Sequence, residues 1–294
     1  MEQKIVFALP NSIGLGARIA ERANAKKGEL TISRFPDGET YVRFEEHIEG
    51  KEVILVQTMN PKPNEAMMEI VLAGRTAKEL GAKKVVGVVP YLAYMRQDKR
   101  FHFGESLSNK IAAWMLMHGL DKIITVDPHL HRVKEMGELF HIEHKKLSAN
   151  SAIAEFISKK FSGKDTVIVG PDIESSQWAK RIADSIGFRS AIFLKERFSP
   201  RKVKIKVTTE LDWRGKNVVI VDDIVSSGHT MIEAVKEIKK RKPKAVHCIC
   251  VHGIFAEGAF EKLGKAGAKT IVSTNSVVHK SNGIDLSELI AREI

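Results

Sequence analysis

The chain has 294 residues, of which 43% are hydrophobic and 28% are charged. This length predicts about two domains with cores of ordinary size, which excludes a small disulfide-stapled fold. No apolar run approaches the ~18–20 residues of a membrane-spanning helix, and no signal-peptide pattern follows Met1. Cys248 and Cys250 form a C-x-C pair that is typical of neither redox nor zinc sites. We therefore expect a cytoplasmic protein in a reducing environment.

The chain is strongly basic, because 47 Lys and Arg residues against 36 Asp and Glu residues give a net charge of +11. Such an excess favours nucleic acid, an anionic membrane surface or small phosphorylated ligands as partners. Aromatic residues make up only 6% of the chain, which leaves no obvious platform for stacking bases. Much of the excess lies in residues 237–244, at the end of a predicted helix, where cations complement the helix dipole. We therefore expect neither nucleic acid nor a membrane among the partners.

Short runs rich in Val and Ile alternate with amphipathic segments along the chain, and such runs are typical of strands buried on both faces of a parallel sheet. The predicted strands are Ile5–Leu9, Val53–Val56, Val85–Val89, Ile123–Val126, Val167–Val169, Val218–Val221 and Ala245–Val251. Helical spacing is found at Ala66–Leu80, Leu107–His118, Ser175–Ile186 and Met231–Lys239. The alternation predicts an open α/β sheet fold.

A break near Leu147–Asn150 divides these elements into two halves of similar order. In each half, a strand, a helix and a strand lead through an extended polar insert to a further strand, helix and strand. We therefore predict two tandem domains, residues 1–147 and residues 148–294. Trp114 and Trp178 fall within predicted helices and are interpreted, like the two cysteines, as core residues.

The most informative stretch is residues 218–230, VVIVDDIVSSGHT. A buried strand ends in two carboxylates, Asp222 and Asp223, and a loop of small residues then opens a helix. Ligands of open α/β sheets bind beyond the carboxyl ends of the strands, and N–H groups and hydroxyls at a helix N-terminus suit a phosphate dianion. The carboxylates would repel phosphate, so we expect them to face a neutral polyhydroxylated group such as ribose. The alternative is that the acid pair only caps the helix.

This stretch resembles the phosphoribosyl diphosphate motif of type I phosphoribosyltransferases. By itself the resemblance leaves two classes of enzyme open, one that consumes phosphoribosyl diphosphate and one that makes it. Residues 35–39, FPDGE, favour the second class. Their Asp-Gly pair predicts the turn of a hairpin. The segment brings an aromatic ring and two carboxylates to one edge, which suits stacking on adenine and hydrogen bonding to its amino group. The alternative is a turn without a ligand.

Two further polar segments follow predicted buried strands. In residues 90–100, PYLAYMRQDKR, the cations suit a polyphosphate and Gln97 suits a base edge, although a charged surface loop is the alternative. In residues 126–131, VDPHLH, Asp127, His129 and His131 alternate and would share one side of an extended chain. No further ligand follows at zinc spacing, so Mg²⁺ held by one or two protein groups and by ligand phosphates is expected.

Taken in order, these motifs resemble those of the ribose-phosphate pyrophosphokinases, and the resemblance covers essentially the whole chain. It implies an α/β fold of two tandem type I phosphoribosyltransferase domains, each an open, mostly parallel sheet flanked by helices. The first domain would be the ATP side and the second the ribose 5-phosphate side. The resemblance also implies Mg²⁺-dependent transfer of the diphosphoryl group of ATP to the 1-hydroxyl of ribose 5-phosphate, with release of AMP, in a homo-oligomer (a dimer or higher).

The resemblance assigns roles to individual residues. Those implied at the ATP site are Phe35, Asp37, Gly38, Glu39, Arg96 and Gln97, and the hairpin residues would usually come from a neighbouring subunit. Those implied near the metal are Asp127, His129 and Asp172. Those implied in catalysis are Lys195 and Arg197. Those implied at ribose 5-phosphate are Arg197, Asp222, Asp223, Ser226, Ser227, Gly228, His229 and Thr230.

The chain departs from most bacterial and animal members at three motifs. It has Ser226-Ser227 in place of Asp-Thr, Ile173-Glu174-Ser175 in place of a glycine-containing segment, and Asp127-Pro128-His129 in place of Asp-Leu-His. With the somewhat short chain, these departures predict an archaeal-type member. Three alternatives stay open, and one of them is a nucleic-acid-binding module, for which a loss of affinity for DNA with salt would be the evidence. A phosphoribosyltransferase that uses phosphoribosyl diphosphate leaves the hairpin unexplained, and a non-catalytic regulatory homologue tends to lose catalytic residues that are present here.

Overall fold

A computed structural model describes residues 4–130, 133, 135–199, 202–207 and 211–294, with only the backbone described at 174, 192–199 and 202–207. These residues divide into two compact units. The first comprises Met1–Ser148, Ser276–Val278 and Leu286–Ile294, and the second comprises Ala149–Asn275 and His279–Asp285. The sequence-based division at residue 147 differs from this division near the end of the chain, where residues 286–294 belong to the first unit.

The first unit is built on a parallel sheet. Its described residues form strands in the spatial order β2-β1-β5-β6-β7-β8, and every neighbouring pair is parallel. The strands are β1 (Lys4–Ala8), β2 (Lys26–Gly28), β5 (Glu52–Val56), β6 (Lys84–Val89), β7 (Lys122–Val126) and β8 (Glu143–Leu147). Consecutive residues of the central strands are buried, which explains their continuous runs of Val and Ile.

Helices cover this sheet. They are α1 (Ile13–Arg22), α2 (Pro63–Glu79), α3 (Ser108–Gly119) and α8 (Ser287–Ala291). Leu55 of the sheet, Ile70 of α2 and Leu116 of α3 belong to one buried core, while α1 packs against β1 and α8. The predicted helices 66–80 and 107–118 correspond to α2 and α3.

A separate antiparallel hairpin follows β2. It consists of β3 (Leu30–Arg34) and β4 (Thr40–Phe44), whose register pairs Arg34 with Thr40. The connecting residues 35–39 turn at Gly38, whose φ of 95° lies in the left-handed region that glycine adopts without strain. The predicted hairpin is therefore confirmed.

The second unit contains a larger sheet. Its described strands lie in the order β11-β10-β9-β12-β13-β14-β15, and all neighbouring pairs are parallel except β10 with β11. The strands are β9 (Thr166–Gly170), β10 (Arg189–Ser199), β11 (Lys202–Val207), β12 (Asn217–Val225), β13 (Ala245–Gly253), β14 (Thr270–Thr274) and β15 (Asn282–Ile284). Its helices are α4 (Asn150–Lys160), α5 (Ile173–Ser185), α6 (His229–Lys239) and α7 (Ala259–Ala266). Two mostly parallel sheets with flanking helices confirm the predicted fold class.

Three of the four predicted core side chains outside the aliphatic runs are buried. Cys248 and Cys250 are free thiols in the core of the second unit, and burial raises the pKa of both thiols far above its ordinary value. Trp178 is 9% exposed, whereas Trp114 is 60% exposed, so the prediction for Trp114 was wrong. Apolar residues of helix α3 lie on its outer side as well as on its inner side, and Ala112, Ala113 and Leu116 are the ones buried in the core. No described helix is both long and apolar enough to span a membrane.

Candidate active site

Three carboxylates gather at the carboxyl edge of the second sheet. Strands β9 and β12 are parallel neighbours, so the residues that follow Gly170 lie beside the end of β12. Asp222 and Asp223 lie within β12, which continues to Val225 rather than ending at residue 221 as predicted. The strand is longer because β13 keeps pairing with it through Gly253.

The charges of these carboxylates interact. Burial raises the pKa of Asp222 well above its usual range, and the neighbouring charges of Asp223 and then Asp172 raise that pKa further. The backbone N–H of Asp223 donates to Asp222 Oδ1 at 3.1 Å, which offsets part of this effect. A half-buried cluster of like charges stores unfavourable electrostatic energy that a bound cation relieves.

Asp172 also caps helix α5. Its Oδ1 accepts from the Ser175 backbone N–H at 2.9 Å and from Ser175 Oγ at 2.7 Å, while Ser175 Oγ accepts in turn from the Asp172 N–H at 3.2 Å. The helix cap considered for the acid pair of β12 therefore occurs at Asp172 instead. Because this cap uses Oδ1 as the acceptor, the acid that opens α5 is held rigidly at the sheet edge.

Two close approaches of backbone shape the same edge. A Cβ at Gly170 would lie 2.5 Å from the Ser176 nitrogen, so only glycine lets the first turn of α5 approach the end of β9. A Cβ at Gly228 would lie 3.0 Å from Ala259 Cβ, and the φ of Gly228 is 73°. Both glycines therefore set the positions of helix N-termini at the sheet edge.

The loop after β12 has the form of a phosphate-binding site. Ser226 and Ser227 follow the strand, and Gly228 is the N-cap of α6. Because Gly228 has no side chain to cap the helix, the first-turn N–H groups of α6 face outward without a side-chain acceptor at that position. His229 is exposed and Thr230 is half-buried in this first turn. Together they offer N–H and hydroxyl donors to an anion.

The predicted catalytic pair lies on β10. The strand pairs in parallel with β9 as far as Ile192 and then continues as an antiparallel ribbon with β11. Lys195 pairs with Ile205 and Arg197 pairs with Val203, so both residues lie beyond the carboxyl end of β9. The side chains of Lys195 and Arg197 lie outside the described residues.

The predicted adenine-binding residues lie at the tip of the β3–β4 hairpin. Phe35 is 49% exposed, and its ring meets that of Tyr41 edge-to-face at 5.7 Å. The Phe35 N–H donates to the Glu39 carbonyl at 2.8 Å, and the Glu39 N–H donates to Asp37 Oδ1 at 3.2 Å. The tip is therefore an ordered turn that presents an aromatic face beside carboxylates.

The other predicted residues of the first unit follow adjacent strands. Arg96 is exposed and Gln97 is half-buried in the loop after β6. Asp127 follows β7 with a φ of 36°, an uncommon value for a non-glycine residue, and its N–H donates to the Leu147 carbonyl at 2.9 Å. Asp127 and His129 are both half-buried. Because β6 and β7 are parallel neighbours, both loops lie at one edge of the first sheet. His131 lies outside the described residues.

The donor set fits a hard cation that brings ligands of its own. Carboxylates at Asp172, Asp222 and Asp223 in the second unit are the oxygen donors that Mg²⁺ prefers. In the first unit, Asp127 is a carboxylate donor of the same kind at the edge of its own sheet. In the part of the chain that the structure describes, no three His, Cys, Asp or Glu side chains form a ready metal cage. Mg²⁺ bound here would therefore take further ligands from substrate phosphates and water.

Comparison with known proteins accounts for both units. A family model described as the N-terminal domain of ribose phosphate pyrophosphokinase matches residues 4–119, and a phosphoribosyl transferase domain model matches residues 137–288. The chain is 32% identical over 292 residues to a ribose-phosphate pyrophosphokinase of Methanopyrus kandleri, covering 99% of this chain and 98% of the relative. It is 37% identical over 294 residues to that of Pyrococcus abyssi, covering 98% of each. The chain belongs to the ribose-phosphate pyrophosphokinase family.

A solved structure supports the same assignment. The crystal structure of phosphoribosylpyrophosphate synthetase from Mycobacterium smegmatis matches with a TM-score of 0.87 and 25% identity, over 99% of this chain and 97% of that one. The protein is thus an enzyme of the ribose-phosphate pyrophosphokinase class. It is a transferase that takes part in the biosynthesis of phosphoribosyl diphosphate and of nucleotides. The archaeal relatives at 32–37% identity confirm the predicted archaeal-type membership.

The residues that hold these motifs in place are not evident from the sequence. Glu69, a carboxylate that is 5% exposed, lies on α2 and bonds to both the hairpin and the first sheet. An acidic residue among the apolar positions of a predicted helix was the available signal. Ala259 beside Gly228 was also missed, because no local pattern reveals a contact between α7 and the phosphate loop.

Proposed function

We propose that this enzyme transfers the diphosphoryl group of Mg-ATP to the 1-hydroxyl of ribose 5-phosphate and releases AMP. One observation supports this most strongly: Asp222 and Asp223 on β12 lead directly into the uncapped first turn of α6 at Gly228. The carboxylates accept hydrogen bonds from the ribose hydroxyls, and the N–H groups and hydroxyls of residues 226–230 bind the 5-phosphate. This arrangement holds the sugar at both ends, so that its anomeric hydroxyl has a fixed position.

In this proposal Lys195 and Arg197 stabilise the diphosphoryl group while it is being transferred. Diphosphoryl transfer needs in-line positioning and neutralisation of spreading negative charge, without a covalent intermediate. Two cations on a strand that continues past β9 supply that charge at the sheet edge. Arg197 also contributes to binding ribose 5-phosphate.

ATP is proposed to bind through groups of the first unit. Phe35 stacks on adenine, and a carboxylate of the hairpin tip, Asp37 or Glu39, accepts from its exocyclic amino group while the Gly38 backbone allows the close turn. Arg96 and Gln97 continue the ATP site along the loop after β6. The hairpin serves an ATP site of a neighbouring subunit in this proposal, as the family resemblance implies.

Mg²⁺ is the proposed cofactor, with Asp127, His129 and Asp172 as the protein groups near it. Bound Mg²⁺ would neutralise charge on the phosphates and polarise the phosphorus that is attacked. The protein groups orient the phosphates that carry the ion. The contribution of Asp172 is limited to its second carboxylate oxygen, because Oδ1 caps α5.

A homo-oligomer in the cytoplasm is the proposed state of the enzyme. Apolar side chains on α2 and α3 support self-association, because Met68, Ile111 and Trp114 are 43%, 51% and 60% exposed. Met68 and Ile111 line a cleft of about 290 Å³ between these helices. Covering this face in a second copy would explain why α3 is apolar on its outer side. We propose no nucleic acid and no membrane as partner.

One assay tests the proposed reaction. The full-length chain is mixed with Mg²⁺, ATP and ribose 5-phosphate, and nucleotides and sugar phosphates are separated. AMP is expected only when the sugar phosphate is present, in equal amount to phosphoribosyl diphosphate. ADP as the nucleotide product, or AMP that forms without ribose 5-phosphate, would contradict the proposal.

A further inference from the structure

A polar connection joins the hairpin to the interior of the first unit. Arg34 is the last residue of β3 and immediately precedes the tip residue Phe35. Its guanidinium donates to Glu69 Oε1 at 2.6 Å, and the other carboxylate oxygen of Glu69 accepts from Gln57 Nε2 at 2.5 Å. Gln57 directly follows β5 and is fully buried. Glu69 therefore links the outlying hairpin to the carboxyl edge of the parallel sheet.

The two acids that Arg34 contacts on α2 differ in their surroundings. The Glu69 side chain is 6% exposed, whereas the Glu65 side chain is 44% exposed. Arg34 reaches Glu65 at 3.1 Å, and Glu65 is also shared with Lys62 at 3.0 Å. The Glu69 and Glu65 partners raise the pKa of Arg34 further, and the hydrogen bond to Glu69 is the largest cause. Glu69 is thus the main anchor, because a shielded charge pair is screened much less than an exposed one.

Gln57 extends the connection along the sheet edge. Its Oε1 accepts from the Asn11 N–H at 3.3 Å, and Asn11 Nδ2 donates to the Thr58 carbonyl at 3.1 Å. The Thr58 N–H donates to Ser12 Oγ at 2.8 Å. Both the amide oxygen and the amide nitrogen of Gln57 are therefore used. The Gln57 amide cannot flip to suit a changed partner at position 69 without losing its bond to Asn11.

We propose that Glu69 is a positioning residue for ATP: it fixes the hairpin tip through Arg34 and so sets the place of the aromatic ring and carboxylates that meet adenine. This inference rests on the proposed function of the hairpin. Glu69 touches no substrate. Leu30, Ile32, Val42 and Phe44 pack the body of the hairpin against the core of the first unit. The role of Glu69 is to hold the tip, which lies beyond these packed residues, in a single orientation.

The hydrogen bonds of Glu69 to Arg34 and Gln57 depend on both of its carboxylate oxygens, so changing one oxygen to an NH₂ group is expected to disrupt them. Replacing Glu69 with Gln keeps the size of the side chain but removes the negative charge. It also places an NH₂ group against either the Arg34 guanidinium or the Gln57 amide, so a donor faces a donor. The same change at Glu65 leaves Glu69 in place and is the matched control, since both acids lie on α2 and contact Arg34.

Steady-state kinetics of the full-length enzyme tests this role. For Glu69→Gln, the KM for ATP is expected to rise on the order of tenfold, with kcat and the KM for ribose 5-phosphate within about twofold of wild type. Glu65→Gln is expected to change all three parameters by less than about twofold. Arg34→Gln, at a more exposed side chain, is expected to reproduce the Glu69→Gln effect, and the double variant is expected to lose less than the product of the two.

Phe35→Ala separates this inference from the function on which it rests. A raised KM for ATP in Phe35→Ala with a wild-type KM in folded Glu69→Gln and Arg34→Gln overturns the role of Glu69 alone. A wild-type KM for ATP in Phe35→Ala overturns the adenine contact of the hairpin and therefore also the proposed role of Glu69. Equal losses in Glu65→Gln and Glu69→Gln, or a fall in kcat at unchanged KM for ATP, also overturn the proposal. Thermal unfolding of each variant confirms that it is folded.

Discussion

The hairpin tip and the phosphate loop present ligand-binding groups by opposite means. The phosphate loop at Ser226–Thr230 directly follows the central strand β12, which is paired with a strand on each side. Ala259 packs against Gly228 of this loop. The tip at residues 35–39 lies on a two-stranded sheet outside the main sheet, and its anchor passes through the Glu69 carboxylate. A loop built into the sheet is held by the core. The body of the hairpin also packs on the core, through Leu30, Ile32, Val42 and Phe44, but its tip is held by polar contacts that single substitutions can change.

Metal removal is expected to have the largest effect. The acid cluster of the second unit brings Asp172 and Asp223 close enough to Asp222 to raise its pKa, and these like charges favour a cation. Activity is expected to vanish with EDTA and to return with Mg²⁺ or Mn²⁺. AMP release is the measurement, and full activity in a metal-free buffer would show that neither region needs the ion.

Loss of Lys195 is expected to have the next largest effect. Lys195→Ala removes a cation that acts as charge develops, so kcat is expected to fall by ~10²–10³ with little change in the KM for ribose 5-phosphate. Arg197→Ala should resemble it, and the double variant should lose less than the product of the two. Lys180→Ala is the matched control, because Lys180 is an exposed lysine of α5. A folded Lys195→Ala enzyme with wild-type kcat would remove the catalytic assignment.

The preference for adenine over guanine tests the role of the carboxylates at the hairpin tip. If a carboxylate at Asp37 or Glu39 accepts from the adenine amino group, it would meet the carbonyl oxygen of guanine without a donor. That mismatch costs ~1–3 kcal/mol of binding free energy, so ATP is expected to be preferred to GTP by about 5-fold to about 150-fold in kcat/KM. Competition between the two nucleotides measures the preference. Equal use of ATP and GTP would contradict the assignment.

A buried histidine makes the second unit sensitive to acid. His247 on β13 is 6% exposed and packs on Phe161. Its Nδ1 shares a hydrogen bond of 2.8 Å with Thr270 Oγ1. Burial and then Lys269 lower the pKa of His247 from 6.5 to about 4. The unfolded chain therefore takes up this proton first, so this contribution to stability is present above pH 6.5 and is lost as the pH falls toward 4.

The acid effect can be isolated by substitution. The pKa shift corresponds to roughly 3 kcal/mol in the free energy of unfolding below pH 4. His247→Gln is expected to be less stable than wild type at pH 7, with a difference that shrinks as the pH falls from 6.5 to 4. Thermal unfolding across this range is the measurement. A difference that does not depend on pH would mean that folding does not lower the pKa of His247.

Local sequence patterns predicted those features of the two regions that are formed by a few consecutive residues. Runs of Val and Ile gave the central strands, and Asp-Gly gave the hairpin turn, because both signals lie within a few consecutive residues. The extension of β12 to Val225 was missed, since it depends on pairing with β13. The exposure of Trp114 was missed because an apolar helix does not reveal which face packs on the sheet. Glu69 was missed because its partners lie 35 and 12 residues away in the chain.

The roles of the two regions themselves are tested most directly by comparing Phe35→Ala with Thr230→Ala. Phe35→Ala is predicted to raise the KM for ATP and to leave the KM for ribose 5-phosphate unchanged. Thr230→Ala is predicted to raise the KM for ribose 5-phosphate, because it removes a ground-state contact to the 5-phosphate, with a smaller change in kcat. Each variant is the control for the other. If both variants raise the same KM, or if each raises the KM of the opposite substrate, the assignment of ATP to the hairpin and of ribose 5-phosphate to the phosphate loop is contradicted.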